Sequence, residues 1–361
     1  MKKIFMLLSC VLLVANLTFA TGQVTADEQS ALAKGPNGES ATPAREIVLT
    51  PEDMEKAKAA GYKAALLWAG SGEWYNALSD GAEEVFKELG VEVAIKSDAQ
   101  FNPERQATDV ETCLALKPDI ILTLIVDPVS GARAFQPAVD AGVTLVLADN
   151  GADGYYAGKQ YVAVVTGDHF GMGRIAAELM SEAIGGKGKI GYIYHDADYF
   201  VTNNRDQEFK RTIESKYPEI EIVAEAGFTE EPKTEEVASA MLIQHPEITG
   251  IYVAWDVAAE GVIAALRGAG RDDVKVVSHD LGATNDLDIV MDGNMYGKAI
   301  DNPYDIGVTM AKAAILHLLG KETPPFIVVS SMKVTKDNVV EAWETALRKD
   351  PPTNVLKVLG K

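Results

Sequence analysis

Cysteine is scarce in this chain, and its scarcity excludes one way of building a fold. Only two cysteines, Cys10 and Cys113, occur among 361 residues. Two thiols cannot form the multi-disulfide framework that holds small secreted domains together. Cys10 lies in an apolar stretch at the N-terminus, which leaves Cys113 without a partner for an internal disulfide. Cys113 falls on the apolar face of a predicted helix, and we interpret it as a buried, inert thiol.

Positive charge is also in short supply. The chain has 33 lysines and arginines against 53 aspartates and glutamates, which gives a formal net charge of -20. A nucleic-acid partner requires a clustered basic surface that contacts phosphates, and the sequence has no such cluster. We therefore predict no nucleic-acid partner and a soluble protein that its own charge keeps dispersed.

The sequence patterns of metal and phosphate chemistry are absent as well. The five histidines are scattered along the chain without the spacing of metal ligands. No G-x-x-x-x-G-K-[ST] loop occurs, and "GKGKIG" (186–191) precedes a predicted strand, whereas a dinucleotide-binding loop follows one. We predict no metal and no cofactor.

The one long apolar run lies at the N-terminus. Residues 4–19 follow a pair of lysines and precede the small residues Ala20 and Ala26. That order is typical of a secretory signal peptide, with either alanine as a candidate cleavage position. A retained membrane helix fits less well, because the run is short and no basic stop-transfer cluster follows it. We predict a signal peptide over residues 1–26.

Cys10 leaves a second interpretation of the N-terminus open. "LLSC" (7–10) resembles the lipobox of bacterial lipoproteins, in which the cysteine carries a lipid anchor. The apolar stretch before Cys10 is very short, which favours the cleaved signal peptide over the anchor.

Residues 27–60 are interpreted as a linker and a leading helix. The first part, 27–46, is polar and rich in Gly, Pro and Ser, which indicates a linker or a disordered leader. A helix start signal follows, with Thr50 as N-cap, Pro51 at the first helical position and Asp53 in the first turn.

From residue 63 onward, apolar strands alternate with amphipathic helices. The alternation predicts right-handed βαβ units and parallel sheets that are covered on both faces. The rhythm starts again after "YVAVVTGDHF" (161–170), so the fold class is α/β, with two similar doubly wound parallel-sheet lobes. The last strand is predicted at 326–335 and the last helix at 338–349.

The two halves predict a division of the chain into lobes. The N-terminal lobe takes residues 61–165 plus 302–336, and the C-terminal lobe takes residues 166–301. Residues 337–361 form a C-terminal helix and tail. We predict a hinge of three crossings, near 165–168, 281–302 and 300–304.

Large aromatic, carboxylate or amide side chains follow nearly every predicted strand. Parallel α/β sheets bind their ligands outside the carboxyl ends of the strands. A turn or a helix cap accounts for any one such residue, but the repetition in both halves indicates a binding site. The residues at these ends include Trp74 and Tyr75, in a stretch that looks like a loop, then Asp127, Asp149, Asn150, His195, Phe228, Trp255, Asp256, Asp280, Asp301 and Asn302, with Asn203 and Arg205 opening a helix.

This combination of side chains suits a carbohydrate or a polyol. The C–H faces of a sugar are apolar and stack on aromatic rings. Its hydroxyl groups need acceptors and donors, which carboxylates, amides and a guanidinium supply. The aspartates argue against an acidic ligand, since two anions would repel each other. Two opposed carboxylates would also serve a glycosidase, and residue type alone leaves that alternative open.

The sequence resembles the ribose-type periplasmic sugar-binding proteins of ABC importers. The resemblance runs from about Lys63 to Lys336, and it is strongest in "WYNALSDGAEEVFKELG", "AVDAGVTLVLADN", "AMLIQHPEITGIYVAWDVAAEGVIAAL", "VKVVSHD" and "GKAIDNPYDIGVTMAKAAILHLLGK". It implies a monomeric periplasmic protein that captures a neutral sugar or polyol in a cleft between two lobes. It implies hinge closure, delivery to the membrane subunits of an ABC permease, and no catalytic residue. A sensory or chemotaxis receptor on the same scaffold is the alternative.

The resemblance also assigns roles to individual positions. Three positions depart from the family pattern: Asn150 stands where Arg is frequent, Trp255 stands for Asn, and Asp301 stands for Gln or Asn. These departures leave the identity of the sugar open. The ligand-binding positions implied by the resemblance are Trp74, Tyr75, Asp149, Asn150, Asn203, Arg205, Phe228, Trp255, Asp256, Asp280 and Asp301.

For four of these residues a structural role is the alternative. Asp256 can cap the following helix, and Arg205 can form an ion pair with a neighbouring aspartate. Phe228 and Trp255 can belong to the core, because each follows an apolar strand. Among the histidines, we expect only His279, beside Asp280, near the cleft.

Overall fold

The computed structural model describes residues 33–197 and 199–361 of the chain. The predicted signal peptide over 1–26 and the alternative lipid anchor at Cys10 lie outside the described residues. No helix within the described ranges combines the length and the apolar character needed to span a membrane.

Thirteen strands and twelve α-helices alternate along the described residues. The strands are Thr42–Pro43 (β1), Lys63–Trp68 (β2), Glu92–Asp98 (β3), Ile120–Thr123 (β4), Thr144–Ala148 (β5), Val164–Gly167 (β6), Gly188–His195 (β7), Ile220–Phe228 (β8), Gly250–Val253 (β9), Lys275–His279 (β10), Met295–Ile300 (β11), Phe326–Val329 (β12) and Met332–Val334 (β13). The helices are Pro51–Ala60 (α1), Glu73–Glu88 (α2), Pro103–Ala115 (α3), Pro128–Asp140 (α4), His169–Ala183 (α5), Phe200–Lys216 (α6), Thr234–Gln244 (α7), Asp256–Gly268 (α8), Ala283–Val290 (α9), Pro303–Leu318 (α10), Val339–Ala346 (α11) and Thr353–Val358 (α12).

The strands form two sheets, which confirms the predicted α/β fold with two parallel-sheet lobes. The order in the first sheet is β1-β12-β6-β5-β4-β2-β3, and all of its neighbours are parallel. The order in the second sheet is β13-β11-β10-β9-β7-β8, in which only β11 and β13 are antiparallel. We call the two halves the first and the second lobe.

Helices cover both faces of each sheet, so the central strands are apolar throughout. Every residue of β4 is buried, as is every residue of β9. Such strands read as continuous hydrophobic runs because neither face meets water. Cys113, on α3, is fully buried in the same core, and burial raises the pKa of its thiol to about 11. The predicted burial of Cys113 is thereby confirmed, and a thiol with a raised pKa has little of the reactive thiolate form.

The chain passes between the sheets three times, and one passage differs from the prediction. The first lies at Asp168 and another at Asp301–Asn302, whereas the third lies at Ser330–Ser331 rather than within 281–302. The single strand predicted at 326–335 was wrong: the serine pair interrupts it and separates β12 from β13. The passages at Asp168 and at Asp301–Asn302 run side by side. Gly167 directly precedes the first of them, and a Cβ atom at Gly167 would lie 2.6 Å from the Cβ of Asp301.

The described part of the leader is docked rather than a free linker. Thr42 and Pro43 form the edge strand β1 and pair with Ile327 and Val328. Proline is tolerated there because an edge strand needs no hydrogen bond on its outer side. Asn37 donates to the carbonyl oxygen of Tyr155 at 3.2 Å. The prediction of a linker at 27–46 was therefore wrong from residue 33 onward, since polar composition concealed these contacts.

The C-terminal segment forms two short helices instead of the one predicted at 338–349. Pro351 and Pro352 separate α11 from α12, because proline cannot continue a helix. The buried side chains of α11 pack in a cluster that includes Ala77 of the first lobe and Val290 of the second. The C-terminal segment therefore contacts both lobes.

A buried ion pair lies behind this segment and gives a stability prediction. Lys298 and Asp286 are both fully buried, with the ammonium nitrogen 2.5 Å from the carboxylate, and Asp286 also accepts from the Trp343 indole at 2.8 Å. We expect Lys298→Met to lower the free energy of unfolding by about 3–5 kcal/mol, because Asp286 keeps a buried charge without its partner. Chemical denaturation measures the loss. The control, Lys298→Met with Asp286→Asn, should recover most of it, and an unchanged single variant would contradict the prediction.

Candidate functional site

A cavity of about 740 Å³ lies between the lobes, at the carboxyl ends of strands from both sheets. Seven of the predicted site residues line it: Trp74, Tyr75, Asp149, Arg205, Trp255, Asp280 and Asp301. Asn150, Asn203, Phe228 and Asp256 do not line it. The cavity has the size typical of a small-molecule site.

Trp74 and Tyr75 belong to the first turn of α2, which corrects the prediction of a loop. The helix begins at Glu73, directly after Gly72, whose φ of 126° suits glycine. The two rings meet edge to face, with 5.1 Å between their centroids, and Tyr75 makes a similar contact with Phe101 at 6.4 Å. Both aromatic side chains therefore form one wall of the cavity.

Asp149 follows β5 with a left-handed backbone, at a φ of 55°. Its carboxylate accepts a hydrogen bond from the Thr166 hydroxyl at 2.7 Å. Because that hydroxyl proton points to Asp149, the Thr166 oxygen accepts from Nε2 of His169 at 2.8 Å. This chain fixes the orientation of the Asp149 carboxylate at the floor of the cavity.

Arg205 and Asp280 form an ion pair in the second lobe, at 3.2 Å. Asp280 follows β10 and also has a left-handed backbone, at a φ of 63°. Burial by itself would lower the pKa of Arg205. The attraction of Asp280 and of other nearby groups outweighs this effect and raises the pKa above its usual value. The ion pair expected as the alternative role of Arg205 is thus present, and both partners still line the cavity.

Asp301 lies at a passage between the lobes, next to the two other aspartates. The Trp74 indole donates to its carboxylate at 2.9 Å. Burial raises the pKa of Asp301 to about 7, and the nearby Asp280 and Asp149 act in the same direction, while His169 and the Trp74 hydrogen bond oppose the shift. Three carboxyl groups therefore share one part of the cavity.

Trp255 forms the wall of the second lobe opposite Trp74. Its indole donates to Glu231 at 2.6 Å, and its ring meets His195 edge to face at 4.9 Å. Phe228 lies behind, 4.7 Å from Trp255 between centroids, and is itself buried in the core. Phe228 was predicted as a ligand contact, with a place in the core as the alternative. The structure places Phe228 in the core, where it packs against Trp255.

The remaining predicted residues lie beside the cavity. Asn150 belongs to the first lobe and donates to the Tyr199 hydroxyl of the second lobe at 2.8 Å. Asn203 lines a separate groove of about 380 Å³ together with these two residues. Asp256 opens α8 and lines a smaller cavity of about 350 Å³ behind Trp74. Burial raises the pKa of Asp256 to about 7.

Sequence reasoning missed several residues of the cavity lining. His169 lines it without having been predicted, whereas His195, which also lines it, was named at the end of a strand. His279, the histidine expected near the cleft, is fully buried and bonded to the Tyr252 hydroxyl at 2.9 Å. His169 follows the first passage between the lobes, so a crossing at 165–168 could have indicated it. Phe101, Tyr199, Glu230 and Glu231 come from loops and a helix start, where no strand pattern points to the cavity.

Two parallel-sheet lobes that meet around a ligand-sized cavity define a two-lobed solute-binding protein. A family model described as "Periplasmic binding protein domain" matches residues 64–322, and the chain belongs to this family. The ribose import binding protein RbsB of Escherichia coli is 23% identical over 249 residues, which cover 69% of this chain and 82% of that protein. The xylitol-binding protein of Mycolicibacterium smegmatis is 25% identical over 270 residues, 73% of this chain and 74% of that one.

Solved structures agree on the fold. A solute-binding protein of an ABC transporter from Agrobacterium vitis, bound to α-D-tagatopyranose, gives a TM-score of 0.69 at 24% identity, over 81% of this chain and 99% of that chain. A sugar-binding protein of a sugar ABC transporter from Bacillus halodurans gives a TM-score of 0.68 at 25% identity, over 77% of this chain and 98% of that chain.

The ionisation of Asp301 predicts a pH dependence of stability. Its pKa is about 7 in the folded protein, against an ordinary value of 3.8. The folded state therefore binds this proton more tightly than the unfolded chain, so the contribution of Asp301 to stability falls as the pH rises through this window. Asp301→Asn keeps an acceptor for Trp74 and cannot ionise. We expect the stability of the variant relative to the parent to increase from pH 5 to pH 8, measured by denaturation at each pH. Parallel pH profiles of the two proteins would contradict this.

The hydrogen bond between Asn150 and Tyr199 predicts an effect on closure. It joins the lobes directly, and a hydrogen bond of this kind contributes about 0.5–1.5 kcal/mol. Tyr199→Phe should therefore reduce the ratio of closed to open molecules about 2- to 13-fold. Small-angle X-ray scattering of the ligand-free protein measures this as a larger radius of gyration. Tyr156→Phe, at an exposed tyrosine of the first lobe, is the matched control, and equal radii in both variants would refute the role of the bond.

Proposed function

We propose that this protein captures a sugar or polyol between its lobes and delivers it to an ABC permease, without transforming it. The observation that carries the proposal is the lining of the cavity. Aromatic walls from both lobes enclose carboxylates and a buried guanidinium at the carboxyl ends of strands. Such walls stack on the C–H faces of a sugar, and the polar groups pair with its hydroxyls.

The similar proteins support this class of ligand. Ribose and xylitol are named for two of the relatives, and tagatose for one of the solved structures. We infer that the ligand contacts are Trp74, Tyr75, Asp149, Arg205, Trp255, Asp280 and Asp301. Export by the signal peptide over 1–26 would place the protein in the periplasm, where a binding protein meets its solute.

Hinge closure is the proposed mechanism of capture. Ligand binds the open form, and closure adds the contacts of the second lobe, which shifts the population toward the closed form. The left-handed backbone at Asp149 and at Asp280 fixes the direction in which each carboxylate leaves its strand. Preorganised acceptors of this kind reduce the entropy that binding must overcome.

A thermal-shift screen tests the proposed function. The panel contains ribose, allose, arabinose, tagatose, xylitol and a nucleoside as a larger hydroxylated compound. A ligand at 100 times its Kd stabilises the folded protein by about 2.7 kcal/mol, so a tight binder raises the melting temperature clearly. Ligand recovered after incubation should be chemically unchanged. Hydrolysis of the nucleoside, the one compound of the panel with a glycosidic bond, would instead favour the glycosidase alternative.

Substitutions test the placement of the site. We expect Asp149→Ala and Trp255→Ala each to weaken binding of the best ligand about tenfold or more, a change of roughly 1.4 kcal/mol. Asp127→Ala is the matched control, because Asp127 also follows a strand but caps α4 through the backbone of Val129 and Ser130. Isothermal titration calorimetry measures each affinity. Equal losses in all three variants, or none in the first two, would place the site elsewhere.

A further inference from the structure

The cavity has far more negative than positive charge in its lining. Five carboxyl groups face it, from Asp149, Glu230, Glu231, Asp280 and Asp301, against one guanidinium. That guanidinium, of Arg205, is already paired with Asp280 at 3.2 Å. The described residues hold no group of three or more carboxylate, imidazole or thiol side chains that could bind a metal ion.

Asp149 and Asp301 are the two most buried of these carboxylates, and each accepts a hydrogen bond from a neutral group. The Thr166 hydroxyl donates to Asp149 at 2.7 Å, and the Trp74 indole donates to Asp301 at 2.9 Å. Both aspartates are only 6% exposed. Buried charges are normally paired with an opposite charge. The candidate beside Asp149 is the His169 imidazole, whose Nε2 lies 3.5 Å from the carboxylate and which carries a charge only when it is protonated.

Two further polar groups of the lining also await a partner. Nδ1 of His169 and Nε of Arg205 are buried and have no hydrogen-bond partner in the described part of the chain. His169 is 3% exposed and Arg205 is 5% exposed, and both line the same cavity. Buried polar atoms are satisfied in nearly all native proteins, so unpaired ones at a cavity indicate a polar ligand.

The aromatic walls suit a cation as well as a sugar ring. Trp74 and Tyr75 lie on one side of the cavity, and Trp255 lies on the other with its indole bonded to Glu231. A cation over the face of an indole is attracted by the electron-rich π face of the neutral ring. A carboxylate held at the edge of the indole increases that attraction.

We propose that the ligand is a sugar or polyol that carries a protonated amine, and that the ammonium group lies between Asp149 and Asp301. The inference rests on the proposed function and narrows its ligand class. An ammonium donates three hydrogen bonds, so it can pair with both carboxylates at once, whereas one hydroxyl donates a single bond. Burial, Asp280 and Asp149 raise the pKa of Asp301 against the opposing effect of His169, and a bound ammonium group would lower that pKa.

Matched pairs of compounds test the proposal by calorimetry at neutral pH. The pairs are glucosamine and glucose, galactosamine and galactose, and 1-amino-1-deoxysorbitol and sorbitol, with N-acetylglucosamine as the uncharged amide. We expect at least one amine to bind about tenfold or more tightly than its hydroxyl parent, since hydrogen bonds between ions are the stronger ones. Acetylation of the amine should remove this advantage.

The variant Asp301→Asn separates charge from shape. Asparagine keeps the size of the side chain and an acceptor for the Trp74 indole. We expect it to weaken binding of the amine about tenfold, and binding of the hydroxyl parent by less than about threefold. Tighter or equal binding of the parent compound in every pair that binds would overturn the inference and leave the proposed function standing. A panel in which neither the amines nor the neutral sugars bind would overturn both.

Discussion

The hydrogen bond between the Trp74 indole and the Asp301 carboxylate is the contact on which the site depends. Trp74 opens the first long helix of one lobe, and Asp301 lies where the chain leaves the other sheet. One bond therefore fixes an aromatic wall, an acidic floor and a hinge passage relative to each other. Replacing either partner by an apolar side chain would leave a buried polar atom unsatisfied, which proteins tolerate poorly.

Much of the fold follows from periodicity, and its failures have local physical causes. Continuous apolar runs at Ile120–Thr123 and Gly250–Val253 identify strands that are buried on both faces. The prediction placed Ser330 and Ser331 inside a single strand at 326–335, because an interruption of two residues does not change the local composition. The docked leader was missed for a related reason: an edge strand of two residues, Thr42–Pro43, has no period to detect.

The positions that directly follow strands predicted the aspartates of the cavity better than its other lining residues. Asp149, Asp280 and Asp301 follow strands β5, β10 and β11 directly, and all three line the cavity. Asn150 follows the same strand as Asp149, but the left-handed backbone of Asp149 turns the chain at this point, and the Asn150 side chain meets Tyr199. His169 begins helix α5 and Glu231 begins a short 3-10 helix, and only tertiary contacts bring them to the cavity.

Tyr199 couples recognition to closure. Its ring lines the cavity, while its hydroxyl accepts the hydrogen bond from Asn150 of the opposite lobe. A ligand that packs against the ring is therefore in contact with a residue that also joins the lobes. Binding energy can favour closure only through contacts that differ between the open and closed forms. Tyr199 provides such a contact, since opening the cleft would remove Asn150 from its hydroxyl.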